Sequence, residues 1–313
     1  MTINCLLCNN EHTKFIDIIQ VSDLALHYKK MLGSSIINEF DRHREIKFLE
    51  CANCDLRFFW PPITGSERFY KLLQKFEWYY LDDKSEYDFA CRYINEADKV
   101  LDIGCGKGAF AKKIKSTDYT GLEFSPEASS LAEKSGIKVF NEYIEEHALK
   151  HSDYYDVVCS FQVLEHVANP ADFLSNSIKC LKSGGLLIIS VPTADSFISK
   201  VTNGLLNMPP HHVTWWSDKT LQSVAELFQL EVVKIEPEVL ADIHKHWYAS
   251  TVAITAVNRI LKRTPKLLDT TIANKFIAKL AAILGRIYVL GIEDTKMRPR
   301  GHSITVVYKK LKD

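Results

Sequence analysis

Glycines stand at 104, 106 and 108, directly after the apolar run Val100-Leu101-Asp102-Ile103. Alternate glycines let a backbone take positive φ and approach a ligand closely. A helix opening at Ala109-Phe110 would aim its first amides at that ligand. The spacing G-x-G-x-G, with Cys105 and Lys107 between the glycines, is not the G-x-G-x-x-G of nicotinamide and flavin binders. Nor is it a phosphate loop, because Lys107 is followed by Gly108 rather than Ser or Thr. Asp102 closes the strand, where a carboxylate can receive polar groups of the ligand. A second short strand, Tyr119-Thr120-Gly121-Leu122, ends in Glu123. In doubly wound sheets an acid at that place takes the two hydroxyls of a ribose. Phe124 follows it, placed to flank an adenine.

Histidines form the second set. His166 follows Glu165 just beyond the strand Asp156–Phe161, and His211 and His212 lie in Pro209-Pro210-His211-His212-Val213-Thr214-Trp215-Trp216-Ser217. Imidazole titrates closest to neutrality, so a proton acceptor is sought here. Loops beyond the carboxyl ends of strands carry function in this architecture. His211 or His212 is preferred as the base. His166 has the alternative task of bonding backbone in its own loop. Two histidines and an acid holding a catalytic metal is the lesser alternative.

Cysteines form the third set. Cys5-Leu6-Leu7-Cys8 and Cys51-Ala52-Asn53-Cys54 are matched C-x-x-C knuckles, and four thiolates can wrap Zn²⁺ tetrahedrally with no position left open. Residues 9–50 separate them, more than the ~15–20 of a compact ribbon. An inserted helix at Asp23 to Leu32 is expected there. Cys91, Cys105, Cys159 and Cys180 read as core or turn residues.

The elements that must carry these residues follow from the apolar runs. Residues 1–62 read as a cysteine module ending at Trp60-Pro61-Pro62, and residues 63–97 as an aromatic-rich helical cap containing Trp78-Tyr79-Tyr80 and Tyr87. Residues 98–313 read as one α/β domain. Its strands are Val100–Ile103, Tyr119–Leu122, Lys138–Phe140, Asp156–Phe161, Leu186–Pro192, Val232–Glu236 and an antiparallel Ser303–Tyr308. Parallel strands need helical crossovers on both faces. Residues 244–302 are a helical insertion, with helices near Trp247–Leu261 and Ile272–Leu290 broken at Thr264-Pro265. Ala273, Phe276, Ile277, Leu280, Ala281, Leu284 and Ile287 form its expected buried stripe.

Four motifs in order carry a resemblance: D-I-G-C-G-K-G, G-L-E-F-S, the E-H pair after the fourth strand, and L-K-S-G-G-L-L-I-I-S-V-P. From about Val100 to Pro192 the chain resembles class I S-adenosylmethionine-dependent methyltransferases of the ubiquinone-biosynthesis, small-molecule type. The resemblance implies a Rossmann-like doubly wound seven-stranded sheet. It places the methionine part and ribose against Asp102, Gly104, Cys105, Gly106 and Gly108, and the ribose hydroxyls on Glu123. Phe124 and the Asn141-Glu142-Tyr143 segment then flank adenine, and Phe161 and Gln162 stand at the sulfur end. Relatives have a P-x-H-x-x-x-[WF] segment lining the acceptor site, which supports His211 and His212. Similar N-terminal cysteine modules occur in methyltransferases of sugars and glycans. The implied activity is methyl transfer to a small-molecule or sugar-like acceptor, on oxygen before carbon or nitrogen, with structural zinc. The competing reading is a non-catalytic scaffold that binds a partner through the zinc module.

Composition bounds the rest. Lys+Arg and Asp+Glu both number 39 in 313 residues, which argues against a strongly basic nucleic-acid binder. The chain begins without the charged and apolar regions of a signal peptide, so a cytoplasmic protein is expected. Lys262, Arg263, Lys266, Lys275 and Lys279 make the insertion basic. It is expected to pack on the core or on a second subunit, with a membrane surface as the alternative contact.

Overall fold

The computed structural model describes residues 2–76, 82–292, 294 and 298–312; Trp78-Tyr79-Tyr80 of the expected cap lie outside them. Two sheets organise the chain. The smaller joins β1 (Thr13–Gln20), β2 (Glu45–Cys51) and β3 (Arg57–Trp60), with helix α1 (Val21–Leu32) inserted after β1. Two further helices, α2 (Glu67–Leu73) and α3 (Ser85–Ala90), lead into the larger sheet. Its strands are β4 (Lys99–Ile103), β5 (Asp118–Leu122), β6 (Lys138–Phe140), β7 (Tyr155–Phe161) and β8 (Leu181–Pro192). A two-residue strand, β9 (Thr214–Trp215), leaves this region and adds itself to the edge of β3. Then come β10 (Leu230–Val239) and β11 (Arg300–Lys310), which complete the larger sheet in the order β10-β11-β8-β7-β4-β5-β6.

The Rossmann-like α/β fold expected from the sequence is therefore present. β4 to β8 run parallel, and β11 is antiparallel to both of its neighbours. Strands β4 and β7 are almost wholly buried, as a two-faced parallel sheet requires. Helices α4 (Pro126–Lys134), α5 (Ile144–Lys150), α6 (Pro170–Cys180) and α7 (Asp218–Phe228) cover the faces. Ser125, Asn169 and Ser217 cap α4, α6 and α7 by accepting backbone N–H bonds, and Pro126 and Pro170 open α4 and α6.

Two expectations fail. The helix foreseen at Ala109-Phe110 is a series of turns through Lys113. Gly104, Gly106 and Gly108 all hold positive φ, which takes the chain out of the right-handed helical region. Phe110 is then drawn inward to pack on Tyr87 and Phe161. In the insertion, helices α8 (Lys245–Ile260) and α9 (Ile272–Val289) form as foreseen, but α9 buries Asn274, Ile277, Ala281, Gly285 and Val289. Of the expected stripe, Phe276, Leu280, Leu284 and Ile287 are exposed. Close packing through small residues decides this: a side chain at Gly285 would stand 2.9 Å from the Ser250 backbone nitrogen on α8. Among the described residues no helix is long and apolar enough to cross a membrane.

The cysteine module shares its sheet with the larger domain through β9. Trp215 packs on Phe48 and Phe59 of the smaller sheet, and Trp216 is buried in the main core. The aromatic residues of the Pro209–Ser217 segment are thus core residues that lock the two parts together, while its histidines face elsewhere.

Candidate active site

One cavity of about 1720 Å³ opens along the carboxyl ends of the parallel strands. That is larger than the ~300–1,000 Å³ of a site for one small ligand. Its first end is the glycine turn. The backbone amides of Gly104 and Cys105 bond the Leu122 carbonyl at 2.8 and 3.1 Å, drawing the turn onto β5. Glu123 reaches back across it, accepting the Gly106 N–H at 2.9 Å and the Ser125 N–H at 2.7 Å. Burial raises its pKa, partly offset by those amides. Gly104, Cys105, Gly106, Glu123, Phe124 and Tyr143 line this end together. The Phe124 and Tyr143 rings are exposed on the rim with centroids 4.2 Å apart and planes tilted by 37°, an aromatic edge against which a base can pack. Asn141 donates to the carbonyls of Glu123 and Phe124 and holds that corner.

Asp102, Gly108, Cys105 and Phe161 sit differently from the expectation. Asp102 is 2% exposed, lies beneath the turn and off the cavity wall, and accepts the Tyr119 hydroxyl at 2.5 Å. Burial lifts its pKa to about 7. Its other oxygen is enclosed and has no hydrogen-bond partner. Gly108 also lies off the wall; a side chain there would strike the Ile137 side chain. The Cys105 thiol points into the space left by Gly121, so only its backbone serves the turn. The Phe161 ring is packed between Tyr87 and Phe110. Gln162, next to it, takes φ +59° at the end of β7, a conformation that few side chains adopt without cost. Its amide donates to Ser190 and Ser303 hydroxyls, both at 3.3 Å.

The second end of the cavity gathers His166, His211 and His212. The loop after β7 and the strand-forming loop before β9 are zipped together: Val213 N–H bonds the Glu165 carbonyl at 2.8 Å. His166 Nδ1 contacts the His211 carbonyl at 2.6 Å, His211 Nδ1 the Leu206 carbonyl at 2.9 Å, and His212 Nδ1 the Asn207 side-chain oxygen at 3.1 Å. Carbonyl oxygens only accept, so the proton of His166 and His211 is on Nδ1 and each Nε2 carries the lone pair. The Asn207 oxygen assigns His212 likewise. The rings of His211 and His212 stack at 4.6 Å, and His166 stands edge-on to both. Burial depresses all three, His166 to about 4. Glu165, the acid of the E-H pair, is fully enclosed behind them. Its carboxylate lies 3.7 Å from His166 Nε2 and 4.0 Å from His212 Nε2, and neither oxygen has a hydrogen-bond partner. Burial lifts it to about 8. Its adjacency to His166 in sequence was the available signal; its burial was not readable.

Cys5, Cys8, Cys51 and Cys54 converge away from this cavity. Sγ atoms of Cys5 and Cys54, and of Cys8 and Cys51, are 3.5 Å apart, and all four lie within 4.8 Å of one another. Tetrahedral Zn–S bonds of about 2.3 Å set sulfurs roughly 3.8 Å apart, so the donor set fits zinc. Leu7 N–H points at Cys5 Sγ and the Asn53 amide at Cys8 Sγ, the outer hydrogen bonds that thiolate ligands take. Cys5 is held low, at about 5, chiefly by its hydrogen bond with Cys54.

The sheet order, the glycine turn and the acid at the end of the second strand define a nucleotide-type cofactor fold, and comparison with known proteins agrees. Residues 68–235, more than half of the chain, match the model of a family described as a methyltransferase domain. The chain belongs to that family, within the class I S-adenosylmethionine-dependent methyltransferases. Over 100 residues it is 38% identical to proteins named ubiquinone biosynthesis O-methyltransferase from Klebsiella pneumoniae (strain 342) and Salmonella enteritidis PT4 (strain P125109). Each match covers 29% of this chain and 41% of the relative, so the chain spans less than half the length of those proteins. A SAM-dependent methyltransferase of known structure from Archaeoglobus fulgidus superposes with a TM-score of 0.50 at 20% identity, over 77% of this chain and all of that one, and shares its fold.

Proposed function

We propose that this chain transfers the methyl group of S-adenosylmethionine to an oxygen of a small-molecule acceptor. The observation that carries the reading is the single cavity with two differently furnished ends. One end offers a glycine turn, a ribose-type acid and an aromatic rim; the other offers three neutral imidazoles. Its volume suits a cofactor and an acceptor side by side. The names of the curated relatives support oxygen as the receiving atom.

In this reading Glu123 takes the ribose hydroxyls, and the backbone of the Gly104 to Gly106 turn, free of bulky side chains at its glycines, lies against the cofactor. Gln162, held in its left-handed conformation, marks the boundary between the two ends. The acceptor oxygen attacks the methyl carbon in line. The new O–C bond forms as the C–S pair withdraws onto sulfur, and the acceptor's proton passes to a histidine Nε2. We assign that role to His166, the most solvent-accessible of the three rings, with His211 and His212 positioning it through the His211 carbonyl. The positive charge leaves the sulfonium as it appears on the imidazolium, so the enclosed site keeps its net charge. Pre-positioning of the two reactants supplies most of the rate. The four cysteines bind a structural zinc that fixes β2 and β3, and through them β9 and the histidine loop.

The test is transfer of labelled methyl from S-adenosylmethionine to a panel of hydroxylated aromatics and sugars. His166→Ala should retain cofactor affinity and lose about 10²-fold or more in turnover. Unchanged turnover in that variant removes His166 from the chemistry, and no transfer to any hydroxylated acceptor removes oxygen as the receiving atom.

A further inference from the structure

A third group of side chains lines the same cavity, and methyl transfer as described gives it no task. Glu238 comes from the end of β10, His244 from the short turn that starts the helical hairpin, and His302 from the start of β11. One nitrogen or oxygen of each lies within 4.8 Å of the others. Glu238 Oε2 is 2.9 Å from His302 Nδ1, yet that nitrogen is not aligned to donate to any acceptor. His244 Nδ1 is enclosed and also has no hydrogen-bond partner. The two rings meet edge to face at 4.4 Å.

An acid–imidazole hydrogen bond needs the N–H to lie along the N···O line, and here it does not. His302 Nε2 is 3.1 Å from the Ser303 hydroxyl, which also receives the Gln162 amide. That hydroxyl can donate to Nε2 or accept from Nε2–H; in the second case Nδ1 keeps its lone pair and faces the carboxylate. Two acceptors so close repel unless a cation lies between them. The carboxylate is itself anchored by the backbone N–H groups of His302 and Ser303, at 3.1 and 3.2 Å. Ligands aimed and held by outer hydrogen bonds are how metal sites are built. The neighbouring cations Arg298 and Lys245 both pair with Asp242.

We propose that Glu238, His244 and His302 bind a divalent transition-metal ion, separate from the four-cysteine cluster. Two imidazole nitrogens and one carboxylate oxygen suit zinc, manganese, iron(II) or cobalt(II) and are poor ligands for calcium or magnesium. Three protein ligands leave coordination positions open, and all three residues line the cavity. The open positions take an oxygen of the acceptor, a hydroxyl or carboxylate whose proton the metal makes easier to remove. This last consequence rests on the methyl-transfer reading; the metal site does not.

The experiment uses the full chain loaded with cobalt(II) and freed of loose metal by dialysis, with cobalt counted by elemental analysis. His244→Ala and Glu238→Gln should each retain about one equivalent of cobalt per chain fewer than the wild type. Thiolate-to-cobalt absorption from the cysteine cluster should be unchanged in both, which shows that they are folded. Equal cobalt content in the wild type and both variants overturns the proposal. S-adenosylmethionine titration of the same samples scores the methyl-transfer reading separately, because neither result depends on the other.

Discussion

Replacing Glu165 by Gln should remove a loss of stability that the protein suffers as pH rises from 5 to 8. The carboxyl is 1% exposed, has no hydrogen-bond partner on either oxygen, and is lifted by burial to about 8. In the unfolded chain it titrates near 4.3. Between those values the folded protein holds a proton that the unfolded chain has released. The unfolded state therefore binds fewer protons, and stability falls as pH rises through that window. At 1.36 kcal/mol per unit the full effect is about 5 kcal/mol, of which about 3–4 kcal/mol falls between pH 5 and 8. Glutamine has no proton to lose. Urea unfolding of the cofactor-free protein should show the two forms close together at pH 5, and Glu165→Gln more stable by that amount at pH 8. Parallel curves at the two pH values would mean that Glu165 ionises normally, and would refute a dry acceptor end.

Other residues make shorter predictions. Glu123→Gln keeps the shape but removes the charge that receives the ribose; calorimetry should show affinity for S-adenosylmethionine weakened about 10- to 100-fold, roughly 1.5–3 kcal/mol, and an unchanged affinity removes Glu123 from the site. Gly106 holds φ +54°, so Gly106→Val costs on the order of 1–3 kcal/mol in backbone strain and sets a side chain on the cofactor's path; binding should vanish while far-ultraviolet dichroism stays native. Cys51→Ser should release the zinc and lower turnover through β9 while cofactor affinity holds, as read by metal content and titration on one sample. Trp215→Ala removes the ring packed edge-on against Phe48 and Phe59 and should destabilise the protein by about 3–5 kcal/mol, measured by chemical unfolding.

Much of the sheet was legible because its strands are short apolar runs separated by glycine, proline and capping signals. Asn169-Pro170, a capping side chain followed by a proline at the first helical position, opens α6 in this way. The turn after Gly108 was not legible, since its conformation is fixed by Phe110 finding the Tyr87–Phe161 pocket, a contact between distant segments. The same reason hid the face of α9: apolar spacing names a stripe, but the small residues Ala281 and Gly285 decide which side meets α8. In the site, glycine spacing pointed to the turn and Glu123, and loop position pointed to the histidines. What the letters could not show was that Asp102 turns inward to Tyr119, that Glu165 lies buried against His166, or that Glu238 and His302 meet across β10 and β11. Each depends on side-chain direction in a packed sheet.

On the reading proposed above, the glycine-turn end of the cavity holds S-adenosylmethionine. Calorimetric titration of the purified chain with S-adenosylmethionine, and separately with NAD, tests it most directly. Saturable binding of about one S-adenosylmethionine per chain in the micromolar range, with no heat from NAD, is the predicted result. A folded sample that binds no S-adenosylmethionine contradicts the account.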